Sequence, residues 1–152
     1  MTDFNALLER VRQVVASDRR VDEKTGDLCQ LLNEKVDGYD IVGFYIVDPE
    51  NPRQLVRGAH AGAGVGVAKI QFGQGLCGQA AERGISVVVG DVTQELNYVV
   101  GHDDTRSEIV LPIFRAGQVV AELDVSSFER DRFGPDDRLF LEEICLLLTD
   151  RV

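Results

Sequence analysis

The period of the hydrophobic pattern changes twice along this chain, and those changes limit its architecture more than any other feature. Over residues 3 to 17, Leu7, Leu8, Val11, Val14 and Val15 recur at spacings of three and four behind Thr2 as an N-cap, which predicts an amphipathic helix. A second helix is expected over Val21 to Val36, where Leu28, Cys29, Leu31, Leu32 and Val36 keep the helical period and Gly38 suits a stop. Tyr39 to Val47 is instead β-branched and aromatic, and strand-like runs continue for most of the remaining sequence. A sustained helical period returns at Leu139 to Leu148, behind Gly134-Pro135-Asp136-Asp137, which places Pro near the first helical position and two acids in the first turn. Helices at both ends and strands between predict an α+β architecture around a mostly antiparallel sheet.

Within the strand region, Asp48-Pro49-Glu50-Asn51-Pro52 reads as a turn joining Tyr39 to Val47 with a second strand at Gln54 to Ala61. A third strand is expected at Val65 to Phe72, in a stretch from Gly58 to Gly78 where glycine is frequent. Leu76 to Arg83 reads as a short helix closed by Gly84, and Ile85 to Val89 as a fourth strand. Glu108 to Phe114 and Val119 to Val125 form a hairpin around Ala116-Gly117. Between the fourth strand and this hairpin, Gly90 to Arg106 has little periodicity and reads as a long loop, of a length that compact domains usually reserve for lids and binding loops.

The 152 residues suit one domain, 1–152, able to bury roughly 70% of the surface its unfolded chain exposes. A net charge of −10 opposes binding to a phosphate backbone, so neither DNA nor RNA is expected as a partner. No apolar run approaches the length of a membrane span, and Met1-Thr2-Asp3-Phe4-Asn5 lacks the basic and apolar regions of a secretory signal. A cytoplasmic protein with three reduced cysteines is the expectation.

Two of those cysteines, Cys29 and Cys145, lie in apolar helical stripes and read as core. Cys77 differs, because Phe72-Gly73-Gln74-Gly75 leads it into a helix start, where free N–H groups and the helix dipole favour a thiolate or hold an anionic group. No spaced Cys or His pairs propose a zinc site, and no Gly-x-Ser-x-Gly elbow proposes a serine hydrolase. His102-Asp103-Asp104 reads as a solvent-facing loop rather than a metal site, His60 has no evident partner, and neither metal nor cofactor is expected. Glu108 and Asp124 stand inside strand patterns that should be partly buried, so each needs a partner. Backbone N–H groups of the neighbouring loop or a cationic or amide-bearing ligand would both serve.

Phe72-Gly73-Gln74-Gly75-Leu76-Cys77-Gly78, Val89-Gly90-Asp91-Val92 and Thr105-Arg106-Ser107-Glu108-Ile109-Val110-Leu111-Pro112-Ile113 follow in the order seen in GAF domains, and nearly the whole chain resembles one. The resemblance implies a PAS-related, six-stranded antiparallel sheet with terminal helices on one face and a loop-covered ligand pocket on the other. Within that superfamily the chain looks like the free methionine-(R)-sulfoxide reductases, which share the early Gly43-Phe44-Tyr45. That family places three cysteines around its pocket, and only the middle one is kept here, as Cys77; Val67 and Gly101 occupy the other two positions, Gly101 that of the nucleophile. Tyr45, Glu108 and Asp124 match the family's pocket residues, whereas Ile41 stands for its tryptophan and Ser126 for a second aspartate.

Glycine cannot attack a sulfoxide sulfur. The expected function is therefore a stand-alone small-molecule sensor, its pocket lined by Tyr45, Cys77, Tyr98, Gly101, Glu108, Asp124 and Ser126, acting through a homodimer or a signalling partner that meets the terminal helices. The alternative is a divergent reductase in which Cys77 is the sole catalytic thiol and an external thiol resolves its sulfenic acid.

Overall fold

The computed structural model describes residues 2–64 and 66–152. Helices α1 (Phe4–Ala16) and α2 (Val21–Lys35) come first, followed by strands β1 (Ile41–Asp48), β2 (Asn51–Gly62) and β3 (Lys69–Gln71). Helix α3 (Gly75–Arg83), strand β4 (Val87–Val89), strands β5 (Ser107–Arg115) and β6 (Gln118–Ser127) and helix α4 (Pro135–Leu147) complete the order. The six strands form one antiparallel sheet in the order β3-β2-β1-β6-β5-β4, the expected α+β arrangement.

The pleat assigns each face its work. Val42 and Phe44 of β1, Ile109, Leu111 and Ile113 of β5, and Ala121, Leu123 and Val125 of β6 pack under α1, α2 and α4. Their neighbours in the same strands, Tyr45, Val110 and the acids Glu108 and Asp124, point to the opposite face, where α3 lies. Burying each large apolar side chain of the helix-covered core contributes about 1.5–3 kcal/mol. Tyr39 anchors α4 to this core: its hydroxyl donates to Asp137 Oδ1 at 2.8 Å, and Arg132 pairs with the same carboxylate at 3.1 Å.

Several boundaries differ from the sequence reading for local reasons. Asp3, rather than Thr2, caps α1, its side chain accepting from the Ala6 N–H. β2 begins at Asn51, because Asp48 pairs with Asn51 and only Pro49 and Glu50 are left to turn the chain. The third strand is only Lys69–Gln71, the length that pairs with Gln54 to Val56; Val65, where that strand was expected to begin, lies outside the described residues. β4 is likewise shorter than expected, and a single 3₁₀ turn at Val92–Gln94, capped by Asp91, interrupts the 90–106 loop. Pro112 is tolerated within β5 because β4 pairs only with Glu108 to Val110, so the strand is unpaired on that side at Pro112. No helix among the described residues is long and apolar enough to cross a membrane.

Candidate functional site

A cavity opens on the α3 side of the sheet, under the 90–106 loop. Tyr45 rises from β1 into it and donates its hydroxyl proton to the Val67 carbonyl at 3.0 Å. His60, from the paired strand, meets the Tyr45 ring edge-on at 5.3 Å, and its imidazole lies over Gly43. A Cβ at Gly43 would come within 2.1 Å of that ring, so the glycine makes room for it.

The loop is fixed at both ends. Val92 N–H donates to the Arg106 carbonyl at 2.8 Å, and Arg106 N–H donates to the Ser127 carbonyl at 2.8 Å. In its middle, Asn97 accepts from the Gly75 N–H at 3.0 Å and donates to the Gly73 carbonyl at 2.9 Å. These bonds carry Tyr98, Val99 and Gly101 to the cavity wall. They also correct one expectation, since the N–H group offered by the glycine turn is taken by Asn97 and not left for an anion.

The floor is made by three elements. Cys77 comes from the first turn of α3, Glu108 from β5, and Asp124 and Ser126 from β6, where Ser126 pairs with both Glu108 and Ile41. Tyr98 donates to Glu108 Oε1 at 3.5 Å, and the Cys77 thiol donates to Asp124 Oδ2 at 3.5 Å. One donor atom from each of Cys77, Glu108 and Asp124 lies within 4.8 Å of the others. Tyr45, Cys77, Tyr98, Gly101, Glu108, Asp124 and Ser126 thus all line one cavity, with Ile41 and Val67 beside them.

Behind this floor stands Glu122, which the sequence reading missed. It faces Cys77 from β6, opposite Tyr45 on one neighbouring strand and Pro112 on the other. Its residue exposure is 0%, and among the described residues neither carboxyl oxygen has a hydrogen-bond partner; Asp124 Oδ1 is also buried and unpartnered there. Two residues before Asp124, Glu122 had to share its face, and that period of two was the available signal.

The electrostatics are one-sided. Burial, then the neighbouring Asp124, pushes both Glu108 and Glu122 well above the usual carboxyl range. Burial, then Asp124, Glu122 and Glu108, pushes the Cys77 thiol up as well, so the cysteine is a protonated thiol and not the thiolate expected at a helix start. Among the described residues no lysine or arginine pairs with any of these acids. Such a cluster is stable only with its protons in place or with a positive charge brought in from outside.

Of the other candidates, the two cysteines fall elsewhere, whereas His102 lines the same cavity. Cys29 and Cys145 are buried in the helix-covered core, as expected, and burial pushes the Cys29 thiol up to about 12. His102 stacks on Phe128 at 5.0 Å and accepts from the Asp104 N–H, while Asp103 and Asp104 face solvent.

A six-stranded antiparallel sheet with helices on one face and a loop-roofed cavity on the other defines the GAF class, and the GAF-domain family profile matches residues 18–150. The chain belongs to the GAF domain family. It is similar over 97% of its length to GAF domain-containing protein A of Dictyostelium discoideum, with 28% identity and 90% of that protein covered. It is 32% identical to the free methionine-R-sulfoxide reductase of Saccharomyces cerevisiae, over 70% of this chain and 59% of that protein. The substrate complex of the Neisseria meningitidis free methionine-R-sulfoxide reductase superposes with a TM-score of 0.91 at 33% identity, covering 97% of this chain and 87% of that one.

Proposed function

We propose that this chain is a small-molecule-binding GAF module whose pocket takes its ligand through a positive charge, and that it does not turn the ligand over. The observation that carries this is the floor of Cys77, Glu108, Glu122 and Asp124, three carboxyl groups and a thiol with no lysine or arginine among the described residues paired to them. A ligand that brings a positive group replaces protons that the cluster otherwise has to hold. Loss of catalysis follows from the residues at the rim. Val67 and Gly101 stand where the resemblance puts two family thiols, and the one retained thiol is buried and protonated. Output would pass through contact, with a second copy or a signalling protein meeting the terminal helices, where Leu139 and Leu146 of α4 are two-thirds exposed.

A second reading is favoured by the 33% identity to a free methionine-R-sulfoxide reductase. Cys77 would attack the sulfoxide sulfur, with Glu108 or Asp124 protonating the departing oxygen. The products are methionine and a Cys77 sulfenic acid, which two external thiols reduce to the thiol with release of water and a disulfide. The deciding experiment offers purified protein free methionine-(R)-sulfoxide with excess thiol, and follows both methionine formation and thermal stability. Stabilisation without turnover is the expected result. Turnover that disappears in Cys77→Ser would establish the reductase and overturn the binding-only reading.

A further inference from the structure

We propose that the floor of this pocket is a binding site for a divalent metal ion of the zinc class, ligated by Cys77, Glu108 and Asp124, with the buried Glu122 carboxyl behind them. The proposal rests on the reading that the pocket takes a positively charged ligand, and it names that ligand.

Donor spacing is the first argument. A tetrahedral zinc ion with a sulfur ligand at about 2.3 Å and an oxygen ligand at about 2.0 Å holds those two atoms about 3.5 Å apart. Cys77 Sγ and Asp124 Oδ2 are 3.5 Å apart. The other separations in the triad, all within 4.8 Å, close to that edge through shifts of under about 1 Å in each side chain.

Glu122 supplies an independent argument. It is fully buried, faces Cys77, and has two oxygens without a partner, and Asp124 Oδ1 beside it is in the same condition. Buried polar atoms of native proteins are satisfied in the great majority of cases, so three orphaned oxygens on the two acids beside Cys77 mark a missing positive centre. An organic ammonium group would satisfy the carboxylates but gains little from a thiol, which is a weak acceptor. A metal ion of borderline softness uses both donor types, and the thiol at the centre of the cluster is what selects it.

The surroundings suit such an ion. The Tyr98 hydroxyl at 3.5 Å from Glu108 is an outer partner that orients a ligand carboxylate. Gly66 and Gly101 bring no side chains of their own to the cavity lining. Binding exchanges protons for the metal: the Cys77 S–H bond is lost, an S–metal bond forms, and the thiol proton leaves to solvent with those held by the coordinating carboxyls. No electrons move.

The test titrates Co²⁺ into the full, metal-free chain and follows the thiolate-to-cobalt charge-transfer absorption, with Zn²⁺ added afterwards as competitor. One Co²⁺ per chain, an absorption band abolished by Zn²⁺ and by Cys77→Ser but kept by Cys145→Ala, and at least tenfold weaker binding in Asp124→Asn are expected. Circular dichroism of each variant separates loss of ligation from loss of fold. Absence of stoichiometric Co²⁺ binding, or a band that survives Cys77→Ser, overturns the proposal. If Co²⁺ fails to bind while free methionine-(R)-sulfoxide stabilises the metal-free chain, the metal assignment falls and the cationic pocket stands. If neither probe binds, both fall.

Discussion

Replacing Glu122 by leucine should make the metal-free protein more stable, an unusual result for a fully buried residue. The side chain has 0% exposure and neither oxygen is satisfied. An unpartnered buried polar group costs about 1–3 kcal/mol, and leucine fills a similar volume without that cost. The titratable groups around it are Cys77 from α3, Asp124 from its own strand, Glu108 from β5, Tyr45 across from it on β1 and Cys145 from α4, none of them cationic. Burial and Asp124 raise its proton affinity in the folded state, so the native protein holds a proton there that the unfolded chain has lost above the ordinary carboxyl range. With folded affinity above unfolded affinity, the stabilising contribution is complete at low pH and is lost as pH rises towards the raised value. The slope is up to about 1.4 kcal/mol per pH unit. Removing the group should therefore help more at pH 7 than at pH 5. Thermal unfolding in chelator should show a Tm gain of about 4 °C or more at pH 5 for a change of about 2 kcal/mol, growing towards pH 7. Glu122→Gln should flatten the pH dependence with a smaller gain, because the amide still lacks partners. A Tm that falls in Glu122→Leu, or a pH slope that matches wild type, would refute the reasoning.

Other tests address the frame and the rim. Asp137→Asn weakens a carboxylate that receives Tyr39, Arg132 and the Gly134 N–H, and should cost about 3 kcal/mol in urea unfolding by leaving Arg132 half-buried and poorly paired. Gly78→Ala places a Cβ 2.4 Å from the Gln71 backbone oxygen, so it should force α3 off β3 and lower Tm by several degrees. Gly101 has no positive φ, and a Cβ there would meet only the Gly66 Cα at 3.7 Å. Val67→Cys trims a partly buried side chain packed on the pocket-side core, so Gly101→Cys with Val67→Cys should lower Tm by no more than about 4 °C. Assayed for turnover of free methionine-(R)-sulfoxide, this variant should gain activity that wild type lacks. Because all three native cysteines are buried, a disulfide reagent should titrate them slowly in the folded protein and fully after denaturation.

Where sequence signals are local, they predicted the structure closely. Ala116 and Gly117 both have positive φ, the geometry that lets a two-residue turn follow the twist of its strands, and the hairpin forms there. Gly84 closes α3 in the left-handed conformation, and Gly134-Pro135 opens α4. The limits of β3 and β4 were not legible, because partners far along the chain decide how many residues of an extended run are paired. The same distance effect governs the site. Glu108 and Asp124 stood out because acids inside strands are unusual, yet the state of Cys77 was misjudged. Its helix start argued for a thiolate, whereas the acids that hold its proton come from β5 and β6. Metal-ligand spacing along the chain is equally blind to a set drawn from one helix and two strands.

The alternation along β5 and β6 makes these strands a wall shared by two compartments. Ile109, Leu111, Ile113, Leu123 and Val125 belong to the helix-covered core, while Glu108, Glu122, Asp124 and Ser126 face the other way. Saturation mutagenesis scored twice, once for cellular abundance and once for ligand response, would split these two strands residue by residue. Adjacent codons would sort into opposite phenotypes, and selection on the ligand could redraw one compartment with little penalty in the other.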